Sequence, residues 1–154
     1  MIISKTPLRI SLFGGGTDFP EFFNKKKTCI IGGTIDKFIY ISLIKQNLKI
    51  KNKKIKLFYK LKEEIDSISK IKHNVIKEAF KKYNLKDSIE MHISSELPSY
   101  TGLGSSSSFT VGLLNILNKL NKIKKNNYEL AEDAIKFERN TLKEFVGYQD
   151  QIHA

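Results

Sequence analysis

The sequence predicts an α+β fold in a single domain. Runs of Ile, Thr, Phe and Tyr with two-residue alternation dominate the first 60 residues and return at Ile89 to Ile93. Apolar residues at three-to-four spacing take over from Asn74 onward. Strands therefore come first and helices later, the pattern of an α+β chain. At 154 residues the chain is one domain, spanning 1–154, and long enough to bury a core.

The elements follow in order. Ile2 to Lys5 and Leu8 to Phe13 read as short strands, the second alternating Leu8, Ile10 and Leu12. Three glycines in Phe13-Gly14-Gly15-Gly16-Thr17-Asp18 interrupt the pattern, and Phe19 to Asn24 forms a short helix or turn. Thr28 to Ile35 and Phe38 to Ile44 are strands by composition. Lys49 to Lys60 reads as a strand pair, with Ile55 to Tyr59 its clearest member and Lys51 to Lys54 closing a hairpin. Asn74 to Tyr83 is helical, with Val75, Ile76, Ala79, Phe80 and Tyr83 on one stripe. Ser107 to Leu120 is a helix carrying Phe109, Leu113, Ile116, Leu117 and Leu120, and Tyr128 to Leu142 is another. There is no internal repeat and no low-complexity linker.

Composition excludes several classes. The chain is 40% hydrophobic and 28% charged, which fits neither a disordered nor a membrane protein. It has no run of ~18 apolar residues, so no transmembrane helix is expected. Met1-Ile2-Ile3-Ser4-Lys5-Thr6-Pro7 lacks the layout of a secretory signal. Cys29 is the single cysteine, which predicts a reducing, cytoplasmic setting. The net charge of +11 is mostly lysine spread along the chain. A solvated basic surface is the expectation, and nucleic acid is not the expected partner.

The most informative stretch is Leu97 to Ser108. Gly102 and Gly104 remove side chains where backbone must approach a ligand, and Ser105 to Ser108 begin a helix. First-turn N–H groups lack partners inside a helix, and the helix dipole favours an anion there, so a phosphate site is predicted. A plain N-cap run is the other reading of those serines. Phosphoryl transfer needs a phosphate cradle, a metal on oxygen ligands, a group that manages the acceptor proton, and positive charge. Residues 98–108 supply the cradle. Ser106 offers a hydroxyl and Glu138 a carboxylate for magnesium, which takes few protein oxygens, although Glu138 judged in isolation reads as a surface carboxylate. Asp150, three residues after Gly147 in a stretch read as non-helical, fits a base, although turn aspartates are common. Arg9 precedes the triple glycine and supplies charge, or is an ordinary strand-edge arginine. Asp18 and Thr17 follow the glycines and are candidates to hydrogen-bond sugar hydroxyls, a plain tight turn being the other reading of the glycines. His73, His92 and His153 show no metal-ligand spacing.

Together these segments resemble the GHMP small-molecule kinases. The family's Pro-x-x-x-Gly-Leu-Gly-Ser-Ser loop is matched by Pro98-Ser99-Tyr100-Thr101-Gly102-Leu103-Gly104-Ser105-Ser106. Pro7, Arg9, Gly14, Thr17 and Asp18 fill a Pro-x-Arg…Gly…Thr-Asp pattern, and Gly147, Asp150 and Gln151 fill a late Gly-x-x-Asp-Gln. Glu138-Arg139 matches a Glu-Arg pair ahead of that aspartate. Within the family, the form is most similar to the kinases of D-glycero-D-manno-heptose 7-phosphate, which serve bacterial surface polysaccharide.

The resemblance implies an N-terminal half like the second domain of ribosomal protein S5. It implies a ferredoxin-like C-terminal half that these residues do not contain. It implies ATP held by Pro98, Thr101, Gly102, Leu103, Gly104, Ser105, Ser106 and Ser107, with Mg2+ on Ser106 and Glu138. Asp150 would be the base and Arg9 would sit by the transferring phosphoryl. A sugar or sugar phosphate would lie on Gly15, Gly16, Thr17 and Asp18. The surface facing the absent half would favour self-association or pairing. A non-catalytic nucleotide- or sugar-phosphate-binding unit is the alternative function.

Overall fold

In the computed structural model, residues 1–46, 54–85, 88–98 and 101–154 are described. The architecture is α+β, as the residue pattern predicts. Among the described residues one sheet runs in the order β1-β2-β5-β3-β4. Its strands are β1 (Ile2–Phe13), β2 (Ile31–Gln46), β3 (Ile55–Phe58), β4 (Lys62–Ile65) and β5 (Ser88–Ser95). Neighbours pair antiparallel, except that β3 and β5 run parallel.

The two N-terminal strands expected from the sequence are one strand with register shifts at Pro7/Leu8 and Ser11/Phe13. Pro7 pairs with Phe38 and Leu8 with Ile35, so Asp36 and Lys37 are left over on β2. Pro7 has no N–H to give the ladder, and a bulge there lets both strands continue. Thr28 to Ile30 lie outside β2, which begins at Ile31. The hairpin placed upstream of Ile55 is a correction. β3 has β5 on one side and β4 on the other, and its hairpin closes downstream, through 59–61. Residues 51–53 of the expected turn lie outside the described residues. β4 (Lys-Glu-Glu-Ile) is a short polar edge strand with no apolar alternation to announce it.

The helices are α1 (Pro20–Phe23), α2 (Asn74–Lys82), α3 (Ser105–Leu120), α4 (Asn127–Lys136) and α5 (Gln149–His153). α3 is the central element. It lies on β1 and β2 and also meets α2, α4 and α5. Its residues 107–114 are buried almost without interruption, as a helix covered on all sides must be. Gly112 allows the close approach to β1: a Cβ there would press on the Thr6 hydroxyl. The core joins Leu8, Ile39, Ile41 and Leu43 of the sheet to Leu113, Leu114 and Leu117 of α3 and Phe80 of α2. α4 starts at a capping box, Asn126 with Glu129. The helix predicted to reach Leu142 stays regular only to Lys136. A single π turn (Phe137–Thr141) follows. The stretch around Asp150, read as non-helical, is the short helix α5. The far end of the β1–β2 ribbon exposes Leu12 and Phe13, at 63% and 69% of their surfaces. Among the described residues, no helix is long and apolar enough to cross a membrane.

Candidate functional site

Arg9 organises the site. Its backbone N–H, on the free edge of β1, donates to the Leu103 carbonyl at 3.1 Å. Its guanidinium donates through Nη1 to the Gly102 carbonyl at 2.6 Å. Its Nε and Nη2 donate to Asp150 Oδ1 and Oδ2, both at 2.7 Å. This two-pronged fit of a planar guanidinium to a carboxylate is the strongest ion-pair geometry available to side chains. The Arg9 side chain is only 12% exposed and that of Asp150 30%. Arg9 is thus no ordinary edge arginine: it joins Asp150 of α5, 141 positions away in sequence, to Gly102 of the glycine loop, 93 positions away.

The loop itself fits close approach by a ligand. Gly102 and Gly104 both take left-handed backbone, at φ 72° and 71°. A Cβ at Gly104 would lie 3.0 Å from Arg9 Cγ, so the residue is small both for its dihedral and for its neighbour. Gly104 also occupies the N-cap position of α3, with no side chain capping it. None of the serines is the cap. Ser108 N–H closes the first helical bond, onto the Gly104 carbonyl at 2.9 Å. The N–H groups of Ser105, Ser106 and Ser107 are left as the N-terminal donors of a sixteen-residue helix. Thr101 Oγ1 donates to the Pro98 carbonyl at 3.4 Å. Ser99 and Tyr100 of the predicted loop lie outside the described residues.

Arg9, Gly102, Leu103, Gly104, Ser105, Ser106 and Asp150 border one cleft of about 960 Å³. The rest of its lining forms a largely apolar and aromatic wall, with Tyr59, His73, Val75, Ile93 and Phe109 beside Lys60 and Ser95. His73 stands edge-on to Tyr59 and tilted over Phe109, each at 5.3 Å between ring centres. Burial pushes the His73 ring below its ordinary value, against the pull of nearby Glu63. Its Nδ1 has no partner among the described residues. Burial, with a hydrogen bond to Glu63, pushes the Tyr59 hydroxyl up to about 12. This wall escapes sequence reasoning, because its members come from separate elements and match no motif.

Three predicted side chains, those of Ser107, Asp18 and Thr17, face elsewhere. Ser107, expected among the phosphate ligands, turns inward: its hydroxyl donates to Glu138 Oε2 at 3.0 Å. Position 107 lies on the buried side of α3, while Ser106 beside it is exposed. Only the Ser107 backbone N–H remains for an anion. Asp18, expected at the sugar, is 6% exposed. Its Oδ1 accepts from Gly16 N–H at 3.1 Å and its Oδ2 from Gln149 N–H at 3.0 Å. A Cβ at Gly147 would collide with this carboxylate. Asp18 therefore clasps the 14–18 turn to the start of α5. Thr17 Oγ1 likewise donates within the turn, to the Gly14 carbonyl at 2.8 Å. The turn lies against α5, with Gly15 beside Ser11 and Gln149 and open space at Gly16. The contacts of Asp18 and Thr17 stay inside the chain.

Glu138 sits in the π turn, fully buried, and burial pushes its carboxyl above the ordinary range. Gln151 Nε2 and the Ser107 hydroxyl both donate to its Oε2, the Thr110 hydroxyl also favours the charged carboxylate, and Oε1 has no partner of hydrogen-bond geometry among the described residues. Among the described residues, no group of three or more His, Cys, Asp or Glu could hold a metal. A vacant carboxylate oxygen close to a serine-rich helix start nevertheless suits magnesium. That ion takes one or two protein oxygens and completes its shell with water and phosphate.

A left-handed glycine loop feeding a helix N-terminus, with a clamped carboxylate beside it, is an arrangement suited to an anionic ligand such as a phosphate. Residues 69–154 match the GHMP kinases N terminal domain, and the chain belongs to the GHMP kinase family. It is 30% identical over 164 residues to the D-glycero-alpha-D-manno-heptose 7-phosphate kinase of Campylobacter jejuni, covering 99% of this chain and 48% of that protein. It is 34% identical over 113 residues to the homoserine kinase of Staphylococcus haemolyticus, covering 70% of this chain and 35% of that protein. The crystal structure of a D-glycero-D-manno-heptose 1-phosphate kinase from Bacteroides thetaiotaomicron superimposes with a TM-score of 0.86 at 25% identity. That match covers 100% of this chain and 53% of the other. The chain spans about half the length of the relatives named first, at 48% and 53%.

Proposed function

We propose that this chain is the nucleotide-binding portion of an ATP-dependent kinase acting on a sugar phosphate of the heptose type. The carrying observation is the Arg9 fork, which places the Asp150 carboxylate beside the glycine loop. In this reading the triphosphate lies over Gly102–Gly104, against the N–H groups of Ser105–Ser107. The base stacks in the apolar end, on Tyr59, His73 and Phe109. Asp150 orients the acceptor hydroxyl and takes its proton as that oxygen attacks the γ-phosphorus and the bond to ADP breaks. Arg9 holds Asp150 in place and adds positive charge at the transfer point. Ser106 and Glu138 would hold magnesium, which when bound neutralises phosphate charge. The 14–18 turn borders the acceptor through its open glycines, and Asp18 keeps that turn against α5. The names of two relatives, each a heptose phosphate kinase, support the substrate class. The exposed apolar end of the β1–β2 ribbon supports pairing with the remainder of a full-length kinase.

Calorimetric titration with ADP and magnesium tests the reading. Saturable binding at micromolar to millimolar ADP, lost in Gly104→Val, is expected, because that side chain would press on Arg9 and resist φ 71°. Absence of binding, or binding indifferent to Gly104→Val, refutes it.

A further inference from the structure

We infer that Gln151 is a positioning residue for the metal-binding carboxylate, and that α5 carries base and metal support on two successive residues; this rests on the kinase reading above. Neighbouring residues of a helix point about 100° apart. On α5 that rotation sends Asp150 to the cleft and Gln151 into the interior, where it is 1% exposed. The Gln151 amide Nε2 donates to Glu138 Oε2 and also lies 3.0 Å from the Ser107 hydroxyl. Ser107 in turn donates to the same Oε2 at 3.0 Å. One carboxylate oxygen is therefore pinned by two donors, from α5 and from the first turn of α3. The other oxygen, Oε1, has no partner of hydrogen-bond geometry among the described residues, the Thr110 hydroxyl being the remaining group that acts on this carboxylate. A buried carboxylate with one oxygen pinned and one vacant is preorganised to give the vacant oxygen to a cation. An unpinned carboxylate would rotate and satisfy itself elsewhere.

The arrangement also couples two functions mechanically. Arg9 fixes α5 through Asp150 and fixes the glycine loop through Gly102. The same small helix fixes Glu138 through Gln151. Base, phosphate loop and metal carboxylate are set by one rigid-body placement of residues 149–153. The serine run of α3 divides its labour accordingly. Ser106 is exposed on the cleft for a ligand, and Ser107 is buried to hold Glu138.

The test is ADP affinity measured by calorimetry with and without magnesium, on the full chain. Gln151→Met keeps length and volume and removes the donor. It should cut the gain in ADP affinity that magnesium brings by about tenfold, the lower end of what lost support to a metal ligand costs. Affinity for metal-free ADP should stay within about twofold of the parent. Ser107→Ala removes the other donor to the same oxygen, should cut the magnesium gain by a similar factor, and serves if Gln151→Met fails to fold. A magnesium gain that survives both substitutions overturns the inference. So does an equal loss with and without magnesium, which marks a purely structural residue. Failure of the unsubstituted chain to bind ADP at all overturns the kinase reading, and this inference with it.

Discussion

Replacing Arg9 by methionine deletes three hydrogen bonds at once: two to Asp150 and one to the Gly102 carbonyl. Hydrogen bonds to charged groups contribute about 1.5–3 kcal/mol each when buried. The pair is not fully buried, since Asp150 keeps 30% of its side-chain surface, so the freed carboxylate partly rehydrates. The expected net loss is therefore nearer 2–4 kcal/mol, about that of breaking a partly buried ion pair. For a chain of this length that corresponds to a drop in Tm of about 5–12 °C. Arg9→Lys should recover little, because an ammonium cannot span both carboxylate oxygens and the loop carbonyl. Thermal unfolding of Arg9→Met, Asp150→Asn and the double variant closes a cycle. The coupling energy should be about 1.5–3 kcal/mol. A coupling below about 0.5 kcal/mol would place the pair among ordinary surface contacts and remove its role as organiser of the site.

Gly147→Ala should destabilise by about 1–3 kcal/mol in urea unfolding, because its methyl group overlaps the Asp18 carboxylate. An unchanged midpoint would show that the clasp yields freely. The His73 ring is held below its ordinary value of 6.5 by burial. As pH falls below that value the unfolded chain takes up the proton first, so the contribution present above it is lost as pH drops through the folded value. The urea midpoint should therefore fall between about pH 7.5 and about pH 5, with a smaller fall in His73→Phe. Equal falls in the two proteins would show that His73 is not the group responsible.

Local chemistry is legible without the fold. Gly102 and Gly104 mark where the backbone turns left-handed, and the helical spacing of Phe109, Leu113, Ile116 and Leu117 announces α3. Both depend only on neighbours within a few residues, so α+β and a glycine loop leading into a helix follow from the chain alone. Asp150, Glu138 and Arg9 were each readable as chemistry or as ordinary surface residues. The order of the family motifs, not any single residue, favoured chemistry.

The tertiary structure decided what long-range contact controls. β4 stayed hidden because a short polar edge strand is held by its partner and by Glu63, whose carboxylate accepts from the Tyr59 hydroxyl at 2.5 Å and the Lys72 N–H at 3.0 Å. The inward turn of Ser107 and the clasping role of Asp18 depend on what stands opposite them, residues 31 and 131 positions away. The aromatic wall of the cleft joins Tyr59, His73 and Phe109 from three separate segments. A sequence states which groups are available within a turn or a strand. Which of two adjacent serines meets a ligand is set by the side of the helix that the sheet covers, and that side exists only once the chain has folded.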